Sequence, residues 1–302
     1  MMAFDIPLTE NESEELTNRS DILGGWILLC QFAITAACFV LAAAWSNPFT
    51  FIVGTILLGG RQMGFFVLTH EAGHNTLFKS KWLNDFVCKW LTAPMDFFNG
   101  KAYMREHLEH HRSVGNVDDP DLANYHDYPI SKERLKRKLK RDLTGQTGVR
   151  DLTKRLKGFV NPNLLEKEDQ HALFRGLMWH LALFLILTLS GFPHLILMWF
   201  GALVFCYPAI ARLRQVSEHG AVPDLAHDNP RFNTRTTIVG PLARLLLSPH
   251  GVNYHVEHHL NPAIPTYRLS AAHRLLKARG YFNGIEIPNG YSQVIKQLTL
   301  AS

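Results

Sequence analysis

An uncharged run of twenty residues is the feature that most limits how this 302-residue chain can fold. It extends from Trp26 to Trp45 and reads WILLCQFAITAACFVLAAAW, with a tryptophan at each end. A helix of roughly 20 apolar residues crosses the hydrocarbon core of a bilayer, and aromatic residues favour its interfaces. The preceding residues are acidic, whereas a secretory signal peptide begins with basic ones. The run therefore predicts a membrane-spanning helix.

Three further apolar runs predict three further spans. Only three residues, Ser46 to Pro48, separate the first run from the second, and the Gly191–Pro193 turn separates the third from the fourth. Turns this short predict two antiparallel helical hairpins. The predicted spans cover residues 26–45, 49–69, 172–190 and 194–211. The predicted fold is an all-α integral membrane protein, with a short N-terminal tail over residues 1–25 and a single domain over residues 26–302.

The basic residues predict which side of the membrane the polar segments occupy. Of the 31 lysines and arginines, 18 lie between His70 and His171 and 10 follow Ala211, while the two short turns contain none. Lysine and arginine concentrate on the cytoplasmic side of membrane proteins. We therefore expect both termini on the cytosolic side, together with a helical cap made of residues 70–171 and 212–302.

Three segments within this layout carry polar or charged residues that need an interpretation. The basic run Lys132–Arg141 is expected to lie against anionic headgroups rather than nucleic acid, with an acidic electron-transfer protein as a third possible partner. Arg61 interrupts the second apolar run, and we expect it to reach the membrane interface rather than line a substrate passage. The segment Trp82–Phe98 predicts an interfacial helix.

Sixteen histidines are present, and half of them form three short clusters. The clusters are HEAGH at residues 70–74, HLEHH at residues 107–111 and HVEHH at residues 255–259; His219 follows the last predicted span. Residues four apart on a helix lie on one face, about 5–6 Å apart, so such a pair can share a metal ion. Adjacent histidines diverge by about 100° around the helix axis, so one HxxHH helix can address two ions. The predicted metal ligands are His70, His74, His107, His110, His111, His219, His255, His258 and His259.

The type of ligand narrows the choice of metal. Imidazole suits zinc, copper, iron and nickel, whereas structural zinc favours cysteine, and the four cysteines of this chain are dispersed. Nine imidazoles suggest a pair of redox-active ions that handle oxygen, for which iron is the natural choice. The remaining histidines are expected to be ordinary surface or core residues: His126, His171, His180, His194, His227 and His273. His250, which precedes the third cluster, is either a neighbour of the ligands or a loop residue.

The first cluster also matches HExxH, the signature of zinc metalloproteases, with Glu71 as the general base. An intramembrane zinc peptidase is therefore an alternative from another reaction class. It would need only one further ligand and would leave both HxxHH clusters without a role. A metal transporter is less suitable, because its ligands would lie near the middle of the spans.

The three histidine clusters on a four-span frame resemble the membrane fatty acid desaturase/hydroxylase family. The resemblance extends from about Gly60 to Leu269 and includes the NYHVEHHL stretch at residues 253–260 and the Asp118–Asp121 stretch after the second cluster. It implies a non-haem di-iron centre that uses O2, held by the eight cluster histidines. His219 matches a further histidine that this family has after its last span. Some members also have a water-holding asparagine, at a position occupied here by Gln215.

The resemblance implies a membrane lipid or acyl substrate and an oxidoreductase activity. Desaturation of an acyl chain is the first choice, and hydroxylation or ketolation of an alkyl or carotenoid-like substrate is the alternative. The segment before Trp26 is too short for the cytochrome b5 domain fused to some members, so we expect a separate electron donor, either a ferredoxin or cytochrome b5 with its reductase. Acidic residues beside the clusters are candidates to orient the imidazoles: Glu71, Glu109, Glu218, Glu257, Asp118, Asp119 and Asp121.

Overall fold

The computed structural model describes residues 7–161, 163 and 165–300, and within these residues it is helical with no β-strand. Isolated bridges, such as the one between Ile130 and Thr299, are the remaining β-type pairings there. This confirms the predicted all-α class. The first half of the chain forms α1 (Glu10–Thr17), α2 (Asp21–Ala44), α3 (Pro48–Gly73), α4 (Lys81–Phe86), α5 (Gly100–Ser113), α6 (Leu122–Tyr125), α7 (Lys132–Leu143) and α8 (Gln146–Val160).

The second half of the chain is equally helical. It forms α9 (Lys167–Leu189), α10 (Ile196–Gly201), α11 (Tyr207–His219), α12 (Pro230–Asn233), α13 (Pro241–Leu246), α14 (His255–Leu260), α15 (Thr266–Ala278) and α16 (Tyr291–Leu298). A π-helical turn, Ala202–Cys206, joins α10 to α11 immediately before Pro208, whose missing N–H interrupts the regular hydrogen-bond pattern.

Four helices are long and apolar enough to cross a membrane, as predicted. They cover Asp21–Ala44, Pro48–Gly73, Lys167–Leu189 and Pro193–His219. All four begin between one and five residues before the predicted spans. The second and fourth also continue four and eight residues past the predicted ends, where polar residues extend the helix beyond its apolar part. The pairing of the spans into two hairpins beneath a cytosolic cap stays a prediction.

The helix ends are set by local capping. Ser20 accepts a hydrogen bond from the Leu23 backbone N–H at the start of α2, and Asn47 accepts two at the start of α3, where Pro48 occupies the first turn. The helices pack through a core centred on Phe65 of α3, whose ring makes edge contacts with Phe32 and with Trp179 and Trp199. This packing fixes α3, which carries the first histidine cluster.

Arg61 is buried between helices, so the prediction that it is exposed at a membrane interface is wrong. Its side chain is 3% exposed; its guanidinium donates to the Leu245 carbonyl and, over 3.2 Å, to Oε1 of Gln31. A Cβ on the neighbouring Gly60 would lie 2.6 Å from the Leu245 oxygen, so only glycine lets the loop approach this closely. A cation buried among polar partners is more favourable than one exposed to lipid. Arg61 therefore joins α3 to α2 and α13.

The segment Trp82–Phe98 is helical but irregular. It contains α4, a π-helical turn over Val87–Thr92 and a 3₁₀ turn over Ala93–Asp96. Trp82, Phe86 and Trp90 each leave about half or more of their side chains exposed. Exposed aromatic rings beside lysines are typical of the bilayer interface, in keeping with the interfacial prediction.

Candidate metal centre

Four helices deliver the nine predicted ligands to one place. His70 and His74 lie at the end of α3, and His219 is the last residue of α11. The two HxxHH clusters lie within α5 and α14. Six of the nine side chains are buried, whereas His74, His111 and His259 are partly exposed. Residues more than 180 positions apart in the sequence therefore meet beneath the ends of two candidate spans.

The nine imidazoles divide into two groups. In each group every residue offers a ring nitrogen within 4.8 Å of all the others. The first group contains His70, His74, His107, His111 and His258, and the second contains His110, His219, His255 and His259. Each HxxHH helix contributes to both groups, because its adjacent histidines point in different directions around the axis.

The ring nitrogens face one another at contact distance. Nε2 of His107 lies 2.7 Å from Nε2 of His70 and 3.0 Å from Nε2 of His111. In the second group, Nε2 of His255 lies 2.8 Å from Nε2 of His219 and 3.0 Å from that of His259. Lone pairs that converge in this way suit a cation between them. Nε2 of His74 is buried without a hydrogen-bond partner among the described residues, which also fits a metal ligand.

Burial favours the neutral form of several of these rings. It lowers the pKa of His107, His255 and His258 well below the ordinary histidine value and lowers the pKa of His74 to about 4. Neighbouring imidazoles lower the pKa of the first three further, because a second positive charge would be repelled. Neutral imidazole is the form that binds metal, so the donor set fits a transition-metal ion in each group.

Two of the acidic candidates contact an imidazole through its second nitrogen. Oδ1 of Asp119 lies 2.9 Å from Nδ1 of His110, and Oε1 of Glu71 lies 3.1 Å from Nδ1 of His70. A carboxylate at Nδ1 fixes the tautomer that leaves Nε2 free for a metal. Asp119 and Glu71 therefore orient one member of each group.

The other acidic candidates have different partners. Glu109 is exposed and pairs with Arg112, and Asp118 is also exposed. Glu218 accepts from Nε of Arg214 at 2.8 Å, and its other oxygen lies 3.7 Å from Nε2 of His255, the nitrogen that faces the group. Asp121 donates its backbone N–H to Asp119. Glu257 accepts from Nδ1 of His273 at 2.5 Å and from the Thr236 hydroxyl, which fixes α14 from behind.

Tyr125 is a site residue that the sequence did not identify. Its ring is 1% exposed and stacks on His219 at 5.0 Å between centroids, and its hydroxyl donates to Asp119. The hydroxyl also accepts the Gly115 backbone N–H at 3.2 Å. Tyr125 therefore supports His110 through Asp119 and His219 directly. Tyr125 lies 15 residues past His110 and belongs to no histidine cluster, so no sequence pattern indicated this role.

The remaining histidines lie outside both groups. His273 is buried and pairs with Glu257, as expected for a core residue. His250 is partly buried with Nε2 3.1 Å from Oε1 of Gln31, so it contacts α2 rather than the ligand rings. His180 stacks flat on Phe97 at 4.2 Å inside the third span. His126, His171, His194 and His227 are exposed, as expected for surface residues.

A cavity of about 180 Å³ lies directly beside the second group. Its apolar wall contains Met63, Phe66 and Tyr207, while Arg214 and Gln215 supply polar groups. Gln215 thus faces the space next to the imidazoles, although it belongs to neither group of ring nitrogens. Two neighbouring cavities, of about 290 and 330 Å³, share Tyr207 with it and reach toward Asp96 and Arg155. A substrate could therefore approach the imidazoles between α5 and α11.

Comparison with known proteins identifies the family of this chain. The family model described as "Fatty acid desaturase" matches residues 46–288. The chain is 26% identical to a beta-carotene ketolase of Paracoccus sp. (strain N81106 / MBIC 01143), covering 89% of this chain and 96% of the ketolase. It is 24% identical to the dihydrorhizobitoxine desaturase of Bradyrhizobium elkanii, covering 92% and 84% respectively.

A third relative acts, by its name, on a lipid-bound acyl chain. The sn-1 oleoyl-lipid 12-desaturase of Picosynechococcus sp. (strain ATCC 27264 / PCC 7002 / PR-6) is 24% identical, with 83% of this chain and 75% of the relative covered. Desaturases and a ketolase are thus both similar to this chain along most of its length. The match over most of the sequence, together with the histidine clusters, shows that the chain belongs to the fatty acid desaturase family.

Proposed function

We propose that the chain is an oxygen-dependent di-iron enzyme that desaturates the acyl chain of a membrane lipid or fatty acid. The observation that carries this proposal is the convergence of nine imidazoles into one group of five and one of four. Two such groups suit two metal ions, and the absence of thiolate from both favours iron over structural zinc. The nine histidines named above are the proposed ligands.

An iron pair, when bound, would supply the activation of O2, because no side-chain acid or base can break an unactivated C–H bond. In the overall reaction the substrate gives up two electrons and two protons from adjacent methylenes. Two further electrons and two further protons come from outside, and O2 leaves as two molecules of water. The protein residues then have to orient the ligands, position the alkyl chain and limit access of water.

The surrounding residues suit these tasks. Asp119 and Glu71 hold His110 and His70 in one tautomer, and Tyr125 holds Asp119. Met63, Phe66 and Tyr207 form an apolar wall against which methylenes would pack. Closure of such a wall around the alkyl chain would exclude bulk water from the oxidant.

The zinc peptidase alternative has little support from the position of Glu71. Its Oε2 accepts from the Thr76 hydroxyl and from the Thr266 backbone N–H, each at 3.0 Å, and its Oε1 lies against His70. A general base must instead reach the attacking water. Both oxygens are engaged in structural contacts, and the histidines of all three clusters share the two groups.

A ketolase is the second candidate function. The observation in its favour is the beta-carotene ketolase, which aligns over 96% of its own length. The two reactions would use the same ligands. They would differ in the position of the reacting substrate carbon relative to the metal ions. Acyl desaturation stays the first choice, supported by the description of the matching family model and by the name of the oleoyl-lipid desaturase.

The proposed setting is the cytosolic face of a membrane. Four candidate spans and the distribution of lysine and arginine support a multi-pass protein with both termini and the histidines on the cytosolic side. The electrons that the reaction requires would come from a separate one-electron carrier, a ferredoxin or cytochrome b5 with its reductase.

Lipid mass spectrometry of a host that expresses the chain tests the proposal. Acyl desaturation predicts fatty acids that have lost two hydrogen atoms. Ketolation predicts a product in which one oxygen atom replaces two hydrogen atoms, and hydroxylation predicts a product with one added oxygen atom. A His258→Ala variant present in the same membranes should give the host's unmodified lipids. An unchanged lipid profile in iron-replete cells that supply both donors would contradict the proposed function.

A further inference from the structure

The outer surface of α7 is strongly basic, and the proposed reaction leaves it without a role. This helix contains seven basic and two acidic residues, and the excess of five equals the formal net charge of the whole chain. Lys136, Arg137 and Lys140 are exposed on it, opposite Leu135 and Leu139, which pack inward. We name the exposed side the α7 basic face, formed by Lys132, Arg134, Lys136, Arg137, Lys140 and Arg141.

The α7 basic face differs from the parts of the protein that suit a bilayer. An interfacial helix presents an apolar face to lipid, yet Leu135 and Leu139 of α7 face the protein core and Leu143, its last residue, is its one exposed leucine. By contrast, α8 leaves Val149, Phe159 and Val160 exposed beside its own basic residues. The structure therefore favours α8, rather than α7, as the helix that lies on anionic headgroups.

The two ends of α7 also lie at different places relative to the spans. Just past its C-terminal end, Gly145 approaches Phe205 in the fourth candidate span so closely that a Cβ on this glycine would lie 2.6 Å from the ring. Just before its N-terminal end, Ile130 pairs instead with the last described residues, through the Leu298 carbonyl at 3.1 Å. The helix is about 18 Å long at 1.5 Å per residue. Between these two points Leu135 packs with Val216 of α11, so α7 lies along the C-terminal, more polar part of the fourth candidate helix.

A short path of contacts links α7 to the second histidine group. Nζ of Lys138 lies 4.8 Å above the ring of Tyr128, and a Cβ on Gly220 would lie 3.2 Å from the Tyr128 Cβ. Gly220 directly follows His219, on which Tyr125 stacks at 5.0 Å. A carrier bound to this face would therefore lie close to the imidazoles through contacts that are already packed.

We propose that the α7 basic face docks the acidic one-electron carrier that supplies the reaction. This inference rests on the proposed function, which requires two external electrons for each O2. Each docked carrier would be oxidised by one electron, so two carriers would serve one turnover, and the electrons would enter the metal pair held by the imidazoles. Charge complementarity between a basic face and an acidic carrier speeds the encounter and sets its orientation.

Binding measurements on the iron-loaded protein in nanodiscs of neutral phosphatidylcholine test this docking. The probes are a plant-type ferredoxin and the soluble haem domain of cytochrome b5. The test variant combines Lys136→Gln, Arg137→Gln and Lys140→Gln. The matched control combines Lys154→Gln, Arg274→Gln and Lys277→Gln, which removes the same charge from exposed positions elsewhere.

We expect at least one carrier to bind the wild type and the control equally. Its affinity for the α7 variant should be lower by about tenfold or more at low ionic strength, and this difference should shrink at high salt. Equal affinity for all three proteins, or no measurable binding of either carrier, would overturn the proposal. The proposal would also be overturned if the α7 variant binds the carrier as tightly as the wild type but is no longer stabilised against heat by anionic phosphatidylglycerol. The α7 basic face would then bind lipid headgroups.

A chemical reductant separates failure of the docking from failure of the proposed function. The protein is reduced with dithionite without O2, excess dithionite is removed, and O2 is then added; in this single turnover the α7 variant should oxidise substrate as fast as the wild type. If product forms with dithionite while carrier affinity is unchanged in the variant, only the docking proposal is wrong. If the iron-loaded wild type forms no product with dithionite, the proposed function is wrong. If carrier affinity nevertheless depends on α7, the carrier serves a different redox reaction.

Discussion

His111 and His259 stack on each other with ring centroids 4.1 Å apart and ring planes 27° apart, although they belong to different histidine groups. Both rings are partly exposed, unlike most of the other candidate ligands. Through this contact, a displacement of either ring changes the position of a ligand in the neighbouring group. The two groups therefore form one coupled centre, and variants in one group should affect the other.

Removal of a single cluster histidine should abolish turnover. His110→Ala or His258→Ala deletes one ligand from a group of four or five and leaves the spans unchanged. We expect no detectable oxidised lipid while the amount of protein in the membrane fraction stays the same. The exposed His126 and His194 provide controls, and their alanine variants should be fully active. Full activity in His110→Ala would remove the di-iron assignment.

Replacement of Asp119 should weaken metal binding without removing a ligand. Asp119→Asn keeps the size of the side chain but can no longer act as a charged partner for Nδ1 of His110. Loss of such a partner lowers metal affinity by roughly tenfold to a hundredfold. Competition with a chelator measures this change, and Asp118→Asn, at the exposed neighbouring position, is the matched control. Equal affinities in the two variants would show that Asp119 does not orient the imidazole.

Arg61→Met should destabilise the folded protein. The substitution leaves the buried Leu245 carbonyl and Gln31 Oε1 without their charged donor. Loss of a hydrogen bond to a charged group costs about 1.5–3 kcal/mol in the free energy of unfolding. Thermal unfolding in detergent should therefore show a lower Tm for Arg61→Met than for Arg112→Met, since Arg112 is exposed. Identical Tm values would indicate that Arg61 contributes nothing through these contacts.

The metal-free protein should lose stability as the solution becomes acidic. The pKa of His74 is about 4 in the folded protein and near 6.5 when exposed, so between these values the unfolded state binds a proton that the folded state excludes. Each such imidazole then costs up to about 1.4 kcal/mol of stability per pH unit as pH falls. The contribution is absent above pH 6.5 and reaches its limit near pH 4.

Unfolding of the metal-free protein at pH 8 and at pH 5 measures this effect. The Tm should be lower at pH 5, and His74→Gln should reduce the difference, because glutamine does not titrate. Since several other imidazoles are also buried, the variant removes only part of the pH dependence. A Tm that rises toward pH 5 would contradict the assignment of neutral buried rings.

Gln215→Ala should have a smaller effect than loss of any cluster histidine. Gln215 lines the cavity beside the second group but is not one of its converging residues. We expect unchanged iron content and a partial loss of turnover, measured on the same protein preparation. Loss of both iron and activity would instead give Gln215 the role of a ligand.

The division of the histidines into two groups could be anticipated from spacing alone. His107 and His111 are one helical turn apart and share a group, while His110 points to the other group. This inference needed only the helical repeat, which relates residues that are close together in the sequence. The number of candidate spans was likewise readable from uninterrupted apolar runs, although helix ends differed by several residues because polar residues continue a helix beyond the bilayer.

The long-range partners could not be read from spacing. Glu109 and Asp119 both lie near His110 in the sequence, yet only Asp119 reaches its Nδ1, because the turn after α5 folds back over the ring. Arg61 was expected at the interface, because its hydrogen-bond partners, Gln31 and the Leu245 carbonyl, lie far from it in the sequence. Such contacts depend on how separate helices pack, which no local pattern reports.

The metal content of the purified wild-type protein tests the central claim most directly. Mass spectrometry of the metals in protein purified from iron-replete cells should find two iron ions for each chain, one for each histidine group. His258→Ala, which removes a ligand from the five-membered group, should contain fewer. A single zinc ion per chain, unaffected by His258→Ala, would contradict the account.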